Sequence, residues 1–226
     1  MKKTIYHGST DIIIKPEYGK GSIKNDYGRG FYCTEEIELA KEWACGNDTD
    51  GYANKYEIDL NKLNTLYLNS DEYSILNWLA ILTRFRTYWQ SSSIAEEAKQ
   101  YLQDNFYIDV TKYDVIIGYR ADDSYFSFAQ DFVSNTISLR KLSEAMHLGK
   151  LGEQTVLKSK NAFDRIKYID NEYATSEEYY NKKIDRDRDA KQQYKMSKAS
   201  RDTVNDIFMI DIMRQGIKSG DSRLKI

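Results

Sequence analysis

Two short apolar runs open the chain: residues 3–7, which predict a strand, and residues 12–14, which stop at Pro16, the only proline. The polar, glycine-containing stretch 17–30 predicts a loop. Thr34, followed by Glu35, Glu36 and Ile37, reads as an N-cap with an acidic first turn, so a short helix runs through Ala40 to Trp43. After a Gly/Asn/Asp turn region at 45–53, residues 52–60 alternate as a strand with Tyr56 and Ile58 on one face, and residues 65–68 pair with it or with a neighbour. Two helices are predicted next, over about 72–87 and 94–105. Ile75, Leu76, Leu79 and Leu82 recur there at three- and four-residue steps, which marks a core face, and Trp78, Phe85, Tyr88 and Trp89 read as packing aromatics.

Further along, residues 112–119 form the clearest buried strand, followed by helical patterns over 125–133 and 136–148. Strands are expected to begin at Thr155 and to span 162–169. Beyond Asp170 the pattern changes. Residues 182–198 carry charges of alternating sign, as a solvated helix does, and residues 203–216 are apolar enough to dock on the domain, with Gly216 as the cap. The expected architecture is α+β: one domain over residues 1–170, with a helical extension over 171–226 packed on it.

Composition narrows the function. The chain has 226 residues, enough for one good core, and with 30% charged residues and a net charge of −2 it has no global field for nucleic acid or membrane. No stretch approaches the ~20 apolar residues that span a bilayer, and Met1-Lys2-Lys3 leads into only a short apolar run, so a cytoplasmic protein is expected. Cys33 and Cys45 are too few for a disulfide framework, and two histidines, His7 and His147, exclude a multi-histidine metal site. No metal is expected. His147 suits a helix C-terminus. Arg120 and Asp122-Asp123 stand at a strand exit as second-rank candidates, the aspartates as caps of the helix at 125–133 in preference to magnesium ligands.

The richest chemistry lies between Tyr6 and Trp43. Gly8 has no side chain, so its backbone N–H and C=O can approach a bound amide, and His7-Gly8 reads as a carboxamide reader. Tyr32 offers an aromatic face, and Trp43, further along the helix that follows, returns a second one. Two such faces would clamp a flat polar ring.

These residues carry a resemblance. Tyr6-His7-Gly8-Ser9 resembles the His-Gly-Ser element of the poly(ADP-ribose) polymerase catalytic domain, and Gly28-Arg29-Gly30-Phe31-Tyr32 resembles its Gly-Lys-Gly-Ile-Tyr element. Trp43 stands where the second stacking aromatic is expected, while Ala40 replaces the family's small hydroxyl residue. The pattern is similar to small bacterial domains of the histidine-tyrosine-glutamate class of ADP-ribosyltransferases, several of them toxins of toxin–antitoxin pairs. The resemblance implies a split mixed β-sheet with a helical insert and C-terminal helices, and NAD as co-substrate. It implies that His7 fixes the adenosine-side ribose, that Ser9 supports the carboxamide, and that Tyr32 and Trp43 stack on nicotinamide. It also allows Lys20, Lys24 or Arg29 to approach the pyrophosphate.

The family's third motif stands at the start of a strand, and Glu153-Gln154-Thr155-Val156-Leu157 occupies that place. Adjacent strand residues face opposite sides, so only one of Glu153 and Gln154 points into the cleft. The resemblance favours Gln154, with Glu153 the alternative. It implies a mono-ADP-ribosyltransferase acting on a protein or nucleic-acid acceptor, with a cognate antitoxin as a further partner. NAD hydrolysis and a catalytically silent NAD- or ADP-ribose-binding module are the alternatives.

Overall fold

Pairing in the sheet lengthens the first predicted strand. In the computed structural model, which describes residues 1–87 and 92–225, β1 (Lys2–Ser9) pairs antiparallel over its whole length with β3 (Gly51–Asp59), from Lys2↔Asp59 to Ser9↔Tyr52. The remaining strands are β2 (Phe31–Thr34), β4 (Thr65–Tyr67), β5 (Val115–Tyr119), β6 (Glu153–Leu157) and β7 (Ile166–Ala174). Among the described residues they form one seven-stranded mixed sheet, in the order β4-β5-β6-β2-β1-β3-β7, with β4–β5 the parallel pair. The described residues also hold eight helices, which complete the α+β fold: α1 (Ile37–Ala44), α2 (Ile75–Phe85), α3 (Ser93–Phe106), α4 (Asp123–Val133), α5 (Leu139–Met146), α6 (Lys160–Phe163), α7 (Ser176–Ala199) and α8 (Met209–Arg214).

One irregularity in this sheet positions the site. β1 and β2 are neighbours, yet their register holds one pair, Tyr6↔Thr34. Past it, His7, Gly8 and Ser9 pair with β3, and Phe31, Tyr32 and Cys33 pair with β6. The sheet therefore opens between β1 and β2. The Tyr32 carbonyl at this opening accepts from His7 Nδ1 at 2.7 Å, which satisfies a backbone group that a continuous ladder would have paired.

Both faces of the sheet are covered. Tyr32, Ile116 and Val156 pack on the larger core, where α2 and α3 supply Trp78, Leu79, Leu82, Ala98 and Leu102. Ile5, Cys33, Tyr56, Ile58, Val115, Ile117 and Leu157 form a smaller core on the other face, with Ala162 of α6 and Phe163 beside it. The alternation of side chains along β2, β5 and β6 produces this division. Cys33 and Cys45 are both free and buried.

Several local expectations change. The apolar run at 12–14 is anchored by side chains of β3, the Ile13 N–H donating to Asn54 Oδ1 at 2.9 Å and the Ile13 carbonyl accepting from the Tyr56 hydroxyl. Residues 162–169 divide into the end of α6 and the start of β7. Thr34 belongs to β2, and its hydroxyl accepts from Glu36 N–H at 3.1 Å, so it holds the turn before α1, whose N-cap is Glu36. Asp122 precedes α4, but its carboxylate is taken by Arg120. Of the two pairings open to β4, with β3 or with a neighbour, the second holds: it pairs with β5. Tyr88 and Trp89 lie outside the described residues.

α7, twenty-four residues long, has no apolar stripe, and its buried residues are Tyr179, Ala190 and Tyr194. Polar contacts to α1 and α4 hold it instead: Arg186 with Glu42 of α1, Lys182 with Glu38, Ser124 of α4 with Asp187, and Tyr194 with Asp131 at 2.6 Å. Gly216 follows α8 with φ +62°, the left-handed conformation that ends a helix.

Candidate functional site

β2 and β6 set two predicted residues side by side. The register pairs Thr34 with Gln154 and Tyr32 with Val156, so Tyr32 and Gln154 share a face. Glu153 faces the other way. It is exposed and accepts from Asn69 Nδ2 at 2.7 Å, beside a separate hollow lined by Asn69, Tyr73 and Asp221. Gln154 is buried, and its Nε2 donates both to Asp26 Oδ2 and to the Tyr119 carbonyl, each at 3.0 Å.

That carbonyl is a junction. It also accepts from the Tyr27 hydroxyl at 2.7 Å and from Trp78 Nε1 at 3.2 Å, so the end of β5 is tied to the loop before β2, to α2 and to β6. The next residue, Arg120, is thereby aimed at Trp43 on α1. Its guanidinium lies 3.1 Å from the indole ring centre and its Nε donates to Asp122. Tyr32, Trp43, Gln154, Asp26, Arg86, Arg120 and, from α7, Arg186 line a cleft of about 560 Å³.

Two donors in this cleft are unusual: Trp43 Nε1 and Arg120 Nη1 are buried without an acceptor among the described residues. Leaving a buried donor unpaired costs on the order of 1–3 kcal/mol, so the contact of Arg120 with Trp43 carries a penalty that a bound acceptor would relieve. Burial also pulls the guanidinium below its ordinary pKa, against the opposing pull of Asp122. Tyr32 uses its hydroxyl locally, donating to the Gly28 carbonyl at 2.5 Å and accepting from Tyr27 N–H at 3.1 Å. Burial raises its phenol far above the usual range.

The chain belongs to the family DUF3990, described as protein of unknown function. The match covers residues 3–168. No curated protein and no solved structure matches the chain. The DUF3990 region holds β1 to β6 and α1 to α6, hence every cleft residue named above except Arg186, which α7 supplies from beyond the matched segment.

Within the DUF3990 region the remaining predicted residues are dispersed. His7 is not in the Tyr32 cleft but on the opposite face of the sheet, its ring 4.3 Å from that of Phe31. It lines a second hollow of about 530 Å³ with Ile12, Ile14, Pro16, Lys20 and Phe163, and Asn25 borders both spaces. Gly8 is pressed against α1, where an added Cβ would lie 2.1 Å from the Ala40 carbonyl oxygen. Ser9 Oγ accepts from Asp11 N–H at 3.2 Å. Gly30 packs on β6, where a Cβ would meet Val156 Cγ1 at 2.7 Å. Arg29 is exposed and borders a third hollow, away from Tyr32, with Lys158 and Tyr113. Its carbonyl accepts from Lys158 Nζ at 2.6 Å, and burial lowers that lysine to about 8. His147 ends α5, its Nδ1 2.8 Å from the Ser143 carbonyl.

Asp26, Arg86 and Arg186 were not found by sequence reasoning. Asp26 stands in a polar loop whose composition gives no sign that one of its carboxylates is buried, and the arginines read as ordinary helix-surface charges. Among the described residues no group of three or more His, Cys, Asp or Glu is placed to hold a metal ion, and no helix is long and apolar enough to cross a membrane.

His7 gives a pH prediction. Nδ1 must donate to the Tyr32 carbonyl, and burial lowers the ring's pKa more than this bond raises it. The unfolded chain then binds a proton that the folded chain does not, so the contribution of His7 to stability is complete above its unfolded value of about 6.5 and is lost as pH falls below it. Urea unfolding at pH 7.5 and 5.5 is expected to show a larger loss at the lower pH for the wild type than for His7→Gln.

Proposed function

We propose that this DUF3990 protein is an NAD-dependent mono-ADP-ribosyltransferase with the split-sheet fold of that superfamily. The observation that carries the reading is the opening between β1 and β2. The strands bearing the His7-Gly8-Ser9, Gly28–Tyr32 and Gln154 motifs are consecutive in the sheet, and the sheet parts between the first two. Hollows lie on either side of this opening and share Asn25. In this reading the adenosine half of NAD lies with His7 and Phe31, and the nicotinamide ribose lies with Tyr32 and Gln154. For nicotinamide to reach Trp43, the Arg120 guanidinium moves off the indole.

The chemistry follows from these groups. The bond between C1′ of the ribose and the nicotinamide nitrogen breaks, its electron pair leaves with neutral nicotinamide, and positive charge spreads over the sugar. The acceptor's oxygen or nitrogen then bonds to C1′ and its proton passes to solvent. Gln154 accepts a hydrogen bond from a ribose hydroxyl and holds the sugar during this step. An amide does not deprotonate an acceptor as a carboxylate does, so one unit is transferred and chains are not built. The reading extends to a cytoplasmic toxin with a neutralising antitoxin, acting on a protein or nucleic-acid acceptor.

The test is nicotinamide release from NAD by the purified protein, with and without cell lysate. Release is expected to rise with lysate and to fall about 100-fold in Gln154→Ala, the loss typical of removing one transition-state hydrogen bond. Release that lysate does not change, with no labelled macromolecule, would convert the reading to NAD glycohydrolase. A silent NAD- or ADP-ribose-binding module is the second reading, favoured by the guanidinium that covers Trp43. Binding without release under any condition would establish it.

A further inference from the structure

The most deeply held charge in the Tyr32 cleft is the carboxylate of Asp26. Oδ2 accepts from the Ala121 backbone N–H at 2.9 Å and from Gln154 Nε2 at 3.0 Å, and Oδ1 lies 3.2 Å from Arg86 Nη1. Asp26 is buried, and burial raises its carboxyl above the ordinary value, by more than these donors and the arginines lower it. Every one of these partners of its two oxygens is a donor, the arrangement of a buried carboxylate held in place and not of a solvated loop residue.

Its effect falls on Gln154. A primary amide offers two N–H donors on one side and a carbonyl acceptor on the other. The two partners of Nε2, Asp26 and the Tyr119 carbonyl, are both acceptors, one of them charged. Turning the amide over would set its oxygen against a carboxylate and a carbonyl oxygen, exchanging two hydrogen bonds for two repulsive contacts. Oε1 is thereby left to the cleft that Gln154 lines. A carboxylate behind the N–H groups also polarises the amide and makes Oε1 a stronger acceptor.

The same geometry gives a reason for glutamine at this position. A glutamate there would put a second carboxylate about 3 Å from the first, and two like charges so close cannot both ionise. We propose that Asp26 is the positioning residue of the site: it fixes the Gln154 amide with Oε1 toward the ribose, and the two act as one unit. This rests on the transferase reading, and Asp26 itself is assigned no contact with substrate.

The experiment compares wild type, Asp26→Asn, Gln154→Glu and the double exchange Asp26→Asn/Gln154→Glu by thermal melting and by nicotinamide release at varied NAD. Asp26→Asn is expected to lower kcat about 100-fold, as misplacement of a catalytic group by an ångström does, with KM for NAD little changed. Gln154→Glu alone is expected to lose melting temperature and activity because the carboxylates oppose each other. The double exchange, which again sets an amide against a carboxylate, is expected to recover about tenfold of that activity, the size of a coupling between contacting residues.

The proposal is overturned if Asp26→Asn keeps wild-type kcat, or if the double exchange is no better than the worse single variant in activity. A wild type that releases no nicotinamide, while melting still shows recovery in the double exchange, would refute the transferase reading itself. The pair would then be a structural hydrogen bond without a role in turnover.

Discussion

Gly8→Ala is expected to destabilise the protein by about 3 kcal/mol, at the upper end of the range for overpacking. The added Cβ would lie 2.1 Å from the Ala40 carbonyl oxygen, 2.7 Å from Ala44 N and 2.9 Å from Trp43 Cβ. Two of these are backbone atoms of α1, so no rotamer change relieves the clash, and the helix must move away from β1. That movement shifts Trp43 from its place under Arg120, and α1 also carries Glu42, the partner of Arg186. Loss of stability and loss of cleft geometry should therefore appear together. The check is chemical denaturation beside Gly46→Ala, whose added Cβ meets nothing closer than 3.6 Å and which should stay within about 1 kcal/mol of wild type. Equal stability of the two variants would mean that α1 does not need its close approach to β1.

Trp78→Ala is expected to have a larger effect, about 3–5 kcal/mol, as for other fully buried aromatics. Trp78 is 1% exposed in the main core. Its removal leaves a cavity between α2 and the sheet and also takes one of the donors from the Tyr119 carbonyl. For a protein of this size that loss corresponds to a drop in melting temperature of roughly 10 °C. Trp78→Phe separates the two effects, because it refills most of the volume without the N–H. It should recover most of the stability, while the end of β5, and with it Arg120, stays less firmly held. A Trp78→Phe variant as unstable as Trp78→Ala would mean that the hydrogen bond of the indole, and not its packing, holds α2 to the sheet.

Both predictions concern residues that the sequence marks for different reasons. Trp78 lies on the apolar face that recurs along residues 75–82, and periodicity alone assigned it to the core, where it is found. Gly8 was legible as a place where a side chain is excluded, but its neighbour could not be read. The sequence pattern suggests a bound carboxamide, whereas the structure puts the backbone of α1 there. The choice between Glu153 and Gln154 illustrates the same limit. Strand alternation shows that one of them must face away, and the registers of β2 and β5 against β6 determine which.

His7 and Tyr32 show how neighbouring motifs are separated by folding. They stand on adjacent strands and are linked through the Tyr32 carbonyl, yet their side chains leave opposite faces of the sheet. Motif order along the chain carries no information about face once two strands share a single pair. Arg29, adjacent in sequence to the glycines before Tyr32, is likewise turned to a different hollow.

By itself, the sequence determined the α+β class, most of the strands and helices and the core face of α2, because each of these is set by short-range periodicity; Tyr32 and the alternatives Glu153 and Gln154 became candidates through the family resemblance. Only the tertiary structure decided that the sheet opens between β1 and β2, that Arg120 covers Trp43, that α7 walls the cleft and that Asp26 is buried behind Gln154. Those features depend on contacts between residues 77 and 144 positions apart, as with Arg120 and Trp43 or Arg186 and Glu42, and on the burial of charges, which local composition does not record.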